Sequence, residues 1–517
     1  MYMRYRIRQL GLTVRVFETG NGVGGTWYWN RYPGARVDGG SLSYSYGFDE
    51  DLQQEWSWSE LFASQAELLA YANHVADRFD LRKDIQFSTT VKSARWCDSA
   101  KRWLVETDRD DRISAKYFIT AVGCLSAANI PPFAGLDQFM GRYYHTARWP
   151  EDEVELAGKL IGVIGTGSTG MQIIPAIAEK AKHLYVFQRT PHYAIPSNNE
   201  PMDIEREQAW KAHYREHRAI ARASPSGHDS RHLGMPIQSA LEVTEAERVR
   251  AFEQAWVREA PALMLTFNDL RTNLEANELV AAFVRDKIRS TVKDSKTAEL
   301  LCPKTYPIGA KRLCLEAGYY ETFNRDNVAL VDIKTHPIQE ITRNGLRTTA
   351  AEYPLDTIIF ATGFDAITGS LLRMNIVGSG RIPLIDKWHV GPRTYLGLMT
   401  AGFPNMFIIT GPGSPSALVN LMTAIEQHVD WVTAALAYVR EHGYTNMEAT
   451  DDAEDGWVTH VNEIGEQSIF AKGNSWYLGA NIPGKPQVFM PYAGGLGSYG
   501  IKCDEVAANG YEGFVLS

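Results

Sequence analysis

The stretch from Lys159 to Thr190, KLIGVIGTGSTGMQIIPAIAEKAKHLYVFQRT, constrains this chain more than any other. Leu160 to Ile164 is a short apolar run, and Gly165, Gly167 and Gly170 then fall on G-x-G-x-x-G. Met171 to Lys182 has helical apolar spacing, and Leu184 to Phe187 is a second apolar run. The predicted order is strand, glycine loop, helix, strand. Glycine lets backbone come close to a pyrophosphate at such a turn, and the helix start supplies N–H groups and a positive dipole end. The hexapeptide alone is weak, but inside this unit it predicts a dinucleotide site. Where a site for NAD carries an acidic residue, this chain has Gln188-Arg189-Thr190. A guanidinium and a hydroxyl suit a 2′-phosphate, so the unit is expected to hold NADP(H).

The start of the chain echoes half of that pattern. Met1 to Gly11 reads as the last turns of a helix closed by glycine, and Val14 to Phe17 as a strand ending at Glu18. A carboxylate there is placed for a ribose hydroxyl of a second dinucleotide. The matching first strand and glycine loop are expected upstream of Met1, because a parallel sheet needs its central strand. Asn21 to Asp38 is a glycine- and aromatic-rich loop, too irregular for helix or strand. Trp27, Tyr28, Trp29 and Tyr32 are expected to face a flat ring system, the alternative being a surface loop with anchoring rings. Gln65 to Phe79 is helical, and Gln86–Trp96, Trp103–Glu106 and Ile113–Ile119 read as strands of a small antiparallel sheet. Tyr117–Gly123 and Thr357–Gly363 are strands with small-residue ends, which mark where the chain crosses between two nucleotide-binding domains. Glu200 to Leu301 is charged and helical in spacing, and its Glu/Arg runs read as solvated faces. GPGSPS (411–416) is a turn before a helix expected at Ala417–Val439.

Composition narrows the partners. With 517 residues, 44% hydrophobic and 22% charged, the chain is an ordinary globular protein of roughly three domains. A net charge of −9 argues against nucleic acid or an anionic membrane. Five cysteines form no C-x-x-C pair, so neither a zinc ribbon nor a redox dithiol is encoded, and no metal is expected. They read as buried thiols of a cytoplasmic protein. No apolar run is long enough to span a membrane.

Phe139 to Pro150, FMGRYYHTARWP, matches F-x-G-x-x-x-H-x-x-x-W-P at Phe139, Gly141, His145, Trp149 and Pro150. Through this fingerprint the chain resembles the type I Baeyer–Villiger monooxygenases. GGTWYWNRYPGAR, GPGSPSAL, IEQHVDW, SWYLGANIPGKP and YEGFVL are similar to the phenylacetone and steroid monooxygenase branch. The resemblance implies an α/β fold of two Rossmann-like domains, one for FAD and one for NADP, with a helical insertion in the NADP domain. The expected boundaries are 1–124 and 362–517 for the FAD domain, 125–196 and 305–361 for the NADP domain, and 197–304 for the insertion. It implies NADPH reducing the flavin, O2 adding to it, and a flavin peroxide attacking a ketone to give an ester or lactone.

By the same resemblance Arg312 is catalytic and Asp38 its carboxylate partner. Glu18, Thr26, Trp27, Trp29, Asp38, Tyr44 and Val91 fall at FAD positions. Arg36, Thr166, Gly167, Ser168, Thr169, Gly170, Gln172, Arg189, Thr190, Lys311, Arg312 and Trp476 are assigned to NADP. Ser416, Ala417, Leu418 and Leu421 are assigned to a pocket for an aryl or bulky ketone, although Leu421 and Met422 equally suit a core. Physical chemistry supports Arg312. A peroxyflavin anion is useful only while unprotonated, and arginine, with a pKa above ~12, keeps its proton where lysine near ~10.4 is riskier. Stabilising an oxyanion in this way is worth ~3–4 kcal/mol. By residue type alone, a surface cation is an equal reading of Arg312. His145 is expected to secure the interdomain linker by hydrogen bonding rather than act as a base. Gly39-Gly40 stand where close relatives carry bulkier residues. Competing readings are a flavin monooxygenase oxidising sulfur or nitrogen, and a flavin-free NADP-binding module. A monomer is expected, with weak self-association as the alternative.

Overall fold

The computed structural model describes residues 1–234, 236–258 and 262–517. Four positions of the expected insertion, 235 and 259–261, lie outside them.

The middle of the molecule is a five-stranded, wholly parallel sheet. Its order is Val328–Asp332, His183–Gln188, Leu160–Ile164, Thr357–Phe360, Arg142–His145. LIGVI and TIIF are almost continuously buried because both faces of a parallel sheet are covered. The helix after the glycine loop, Ser168–Ala178, packs Ile173, Ile174 and Ile177 onto the sheet beside Ile161, Val163 and Val186. Each such side chain contributes about 1.5–3 kcal/mol by leaving water. This helix begins and ends before the expected Met171–Lys182. Backbone bonds from Gly158 to Lys180 and from Lys182 to Lys159 pull the chain out of the helix early.

The flanking half is assembled from distant segments. The helix Tyr2–Gln9 is followed by Gly11 at φ +66°, a conformation that favours glycine. Val16–Phe17 pairs in parallel with Ile85–Gln86, and Phe118–Thr120 with Met406–Ile408. Two expected strands are therefore each split. Gln86–Trp96 breaks at Ser88, whose φ is +50° and whose N–H bonds Gly20. Ile113–Ile119 breaks because the Phe118 N–H turns to Asn405 of the C-terminal part. The antiparallel sheet comprises Val91–Cys97, Arg102–Thr107 and Arg112–Ala115, with Asn375–Val377 added in parallel at its edge. Thr26–Trp29 forms one helical turn inside the aromatic loop expected to lack any. The helix expected at 417–439 is Leu421–Glu441. Asn420 caps it by accepting from the Met422 N–H, after a separate turn at Ser416–Leu418.

Residues 200–301 contain the helices Ile204–Lys211, Tyr214–Ala223, Glu245–Trp256, Leu274–Thr291 and Ser295–Leu301. The last three share the core of the middle unit through Phe252, Val280, Val284 and Leu301. Tyr214–Ala223 lies instead on the flanking half. There Arg218 donates to the Ser43 carbonyl (3.1 Å) and the Ser45 hydroxyl (2.6 Å), and Arg222 pairs with Asp430 (2.8 Å).

The chain crosses between the halves twice, and the crossings run side by side. Ala128 and Phe364 form an antiparallel bridge, with bonds from Asn129 N to Gly363 O and from Asp365 N to Ala127 O. All five cysteines are free, four of them buried. Among the described residues no helix is long and apolar enough to cross a membrane, and no cluster could hold a metal ion.

Candidate active site

A cavity of about 1650 Å³ is lined from both halves. On the middle side, the three glycines of the loop have three different reasons to be glycine. Gly165 has φ +110°, and a Cβ there would lie 2.4 Å from the Ala361 carbonyl. A Cβ on Gly170 would lie 2.3 Å from the Gly165 carbonyl. Gly167 lines the cavity with nothing within 4 Å of such an atom, so it leaves backbone approachable. No side chain caps the helix that follows. Thr166, Gly167, Ser168, Thr169 and Gln172 line the cavity, whereas Gly170 lies behind them. Uncapped N–H groups and an open glycine fit a pyrophosphate.

Arg189, Thr190 and Lys311 also line the cavity. Thr166 donates to the Thr190 carbonyl at 3.3 Å, tying the loop to the end of the second strand. Lys311 holds its Nζ 4.5 Å above the Tyr306 ring. Burial, reinforced by the Arg189 charge, lowers its pKa to about 8. Two cations with a hydroxyl fit the 2′-phosphate of NADP.

Arg312 and Asp38 meet across 274 positions of sequence. Arg312 Nε donates to Oδ2 at 2.7 Å and Nη2 to Oδ1 at 2.5 Å, a two-pronged pair, while Nη1 donates to the Ala417 carbonyl at 3.2 Å. Asp38 raises the guanidinium pKa well above its ordinary value, against the effect of burial. Burial pushes the Asp38 carboxyl up, but the Arg312 charge and its hydrogen bonds outweigh that and hold it below the usual range. The result is a permanent cation with 40% of its side chain exposed, facing the cavity.

Glu18, Thr26, Trp27 and Tyr44 line the same space. Glu18 accepts from the Gly20 N–H at 2.7 Å, and burial raises its pKa. Trp27 and Tyr44 stand edge to face at 6.0 Å, with Trp27 Nε1 donating to the Tyr44 hydroxyl. Together with Asp38 these supply a carboxylate and rings across the cavity from the glycine loop, the donor set a flavin dinucleotide uses. Arg36 lines the cavity while donating to Glu60 (2.7 Å), and Trp476 lines it against Tyr477. Tyr32 joins the aromatic loop to the glycine-loop helix through Gln172 (2.7 Å).

Other expected residues lie off the cavity. Val91 opens the antiparallel sheet, and Trp29 packs under Arg148 at 4.0 Å. Ala417, Leu418, Leu421 and Met422 line the cavity, with Ser416 behind them. None of the fingerprint residues lines it. A Cβ on Gly141 would lie 2.4 Å from the Asp356 carbonyl, and Trp149 is buried in the middle core. His145 Nδ1 accepts from the Ala147 N–H (3.0 Å), so the ring proton sits on Nε2, 3.4 Å from the Thr362 hydroxyl. That hydroxyl in turn donates to Asn129 O. Burial lowers the imidazole pKa to about 4. A neutral ring with both nitrogens engaged secures the crossing strands.

Sequence reasoning missed His228, Ser43 and Asn420, which line the cavity beside Asp38. Their segments carry no spacing signal, and His228 sits in a stretch read only for helical periodicity.

Residues 46–201 match the family model described as flavin-binding monooxygenase-like. The chain is 41% identical to the 2-oxo-Δ3-4,5,5-trimethylcyclopentenylacetyl-CoA monooxygenase of Pseudomonas putida, covering 100% of this chain and 96% of that one. It is also 41% identical to a Baeyer–Villiger monooxygenase of Pseudooceanicola batsensis, over 100% of this chain and 94% of the relative. An oxidised steroid monooxygenase bound to NADP superposes with a TM-score of 0.93 at 50% identity, covering 100% of this chain and 96% of the other.

Proposed function

The chain belongs to the flavin-dependent Baeyer–Villiger monooxygenases, and from that premise we infer that it uses NADPH and FAD to insert one oxygen atom beside a ketone carbonyl, giving an ester or lactone. One observation carries the assignment of roles: the Arg312–Asp38 pair stands in a cavity lined on one side by the glycine loop and on the other by Glu18, Trp27 and Tyr44. When bound, the nicotinamide supplies hydride and the flavin supplies activated oxygen from O2.

The chain's own residues do the rest. Thr166 to Thr169 offer backbone N–H groups to the NADP pyrophosphate, and Arg189, Thr190 and Lys311 hold its 2′-phosphate. Glu18 holds a ribose hydroxyl of FAD, with Thr26, Trp27 and Tyr44 around that cofactor. Arg312 presents a charge that Asp38 prevents from rotating away and from losing its proton. It stabilises negative charge on the reacting oxygens, including the ketone oxygen, without protonating them. Ala417, Leu418 and Leu421 supply apolar surface for an aryl or bulky ketone.

The test is direct. Full-length protein supplied with FAD and NADPH is offered phenylacetone, cyclohexanone and a tertiary amine, and products are identified by gas chromatography. Ester and lactone are expected, with flavin absorbance retained after purification. N-oxide alone, or a colourless protein that still binds NADP+, would overturn the reading.

A further inference from the structure

His228, from the helical segment, lines the cavity with the Arg312–Asp38 pair and feels both charges, and its placement is over-determined. The segment carrying it is pinned by backbone on two helices of the C-terminal part. The Asn420 N–H donates to Ser226 O (2.8 Å) and the Leu496 N–H to Pro225 O (3.0 Å). Thr423 Oγ1 donates to Gly227 O (3.1 Å), and Asn420 Nδ2 donates to Ser43 O (2.9 Å). Gly227, at φ +73°, sits so close to Asn420 that a Cβ would lie 3.1 Å from its backbone nitrogen. On the other side the imidazole occupies the space left by Gly39, where a Cβ would lie 3.1 Å from His228 Cε1. Gly39 therefore makes room for a ring delivered from elsewhere in the chain.

Ser43 Oγ lies 2.9 Å from the Gly40 carbonyl and 2.9 Å from His228 Nδ1, and its one hydrogen can serve either. With that hydrogen on the carbonyl, Oγ accepts from Nδ1–H and Nε2 carries a lone pair, the tautomer adopted below. Among the described residues nothing donates to Nε2, and His228 lines the cavity beside Asp38, Gly39, Asn420 and Leu421. Burial, with the Arg312 charge acting the same way, lowers the pKa to about 4, so the ring is neutral at pH 7; Asp38 opposes and Arg218 adds to this.

We propose that His228 selects the substrate, its Nε2 accepting a hydrogen bond from a hydroxyl group carried by the ketone. This rests on the ketone-oxidising reading and narrows it to hydroxylated ketones. A fixed acceptor facing a pocket rejects the analogue that lacks the donor, because the acceptor is then left unpaired.

The experiment compares kcat/KM for matched pairs, 4-hydroxyphenylacetone with phenylacetone and 4-hydroxycyclohexanone with cyclohexanone, in the FAD-loaded full chain. The parent is expected to favour the hydroxylated member of at least one pair about tenfold. His228→Phe removes the acceptor and brings that ratio close to one, while His228→Gln, which keeps an acceptor, retains part of it. Should the Phe variant fail to fold, Ser43→Ala serves instead. It releases the Nδ1 proton to either nitrogen and lowers the ratio. A ratio unchanged from the parent in His228→Phe, or in Ser43→Ala where that variant stands in, overturns the proposal. Failure of the parent to make ester or lactone from any of the four ketones overturns the underlying reading instead.

Discussion

The two halves of this molecule solve the same problem in opposite ways. The middle unit places most of its proposed dinucleotide contacts in one continuous stretch, Leu160 to Thr190, on a five-stranded parallel sheet, with Lys311 added from elsewhere. The flanking half gathers Glu18, Trp27, Asp38, Ala417 and Trp476 from segments hundreds of residues apart around short two-stranded ribbons. Recognition of a pyrophosphate needs backbone N–H groups at one helix start, which neighbouring residues can supply. Holding a fixed charge against a ketone needs side chains from several directions, and only long-range folding brings them together.

That contrast can be broken experimentally. The largest effect is expected at the long-range pair. Arg312→Ala should lower ester formation about 10²–10³-fold, matching a loss of ~3–4 kcal/mol of charge stabilisation. NADPH-dependent flavin reduction, followed by absorbance, should fall much less. An ester rate near the parent's would remove Arg312 from the chemistry.

Next in size is the local unit's own geometry. Gly170→Ala drives a Cβ into the Gly165 carbonyl and should cost about 1–3 kcal/mol in urea denaturation. Gly167→Ala meets nothing and should preserve stability while weakening NADP+ binding in a titration. The reverse pattern would mean that the loop does not face the cofactor.

Lys311→Gln should raise KM for NADPH about tenfold, a change of ~1.4 kcal/mol, and leave that for NADH nearly unmoved. The same residue sets a pH dependence. Its pKa is lowered to about 8, so it is charged at pH 7 and loses its proton as pH rises through 8. KM for NADPH in the parent should climb between pH 7 and 9, and KM for NADH should not.

The smallest effect belongs to Trp29. Trp29→Leu removes the ring beneath Arg148 and should lower stability by about 0.5–1 kcal/mol, measured by thermal melting. FAD affinity should stay within about twofold. A larger loss would put Trp29 against the flavin after all.

What could be read from residues alone follows the same division. The glycine loop, its helix and Arg189-Thr190 were legible because their chemistry is local and their order is dictated by one strand–helix–strand unit. Helix ends were not. Leu421 begins its helix where the Asn420 cap dictates, and the glycine-loop helix ends where backbone bonds to Gly158 and Lys159 dictate; periodicity is blind to both. Arg312 was an ambiguous cation until resemblance paired it with Asp38, since no spacing rule links positions 274 apart. His228 left no trace at all. Its place in the site comes from a hydrogen bond to Ser43 and from space freed by Gly39, and neither exists before the chain folds.

The paired crossings near Ala128 and Phe364 carry a mechanical consequence. Two chains laced by backbone bonds, with His145 and Thr362 clamped beside them, behave as a door hinge rather than a ball joint. Sliding or twisting one half along that line would tear the lacing. The far side of the cleft is tied as well, by Tyr32 to Gln172 and by Asp38 to Arg312, so the two walls that would face a cofactor and a ketone are held in register from both ends.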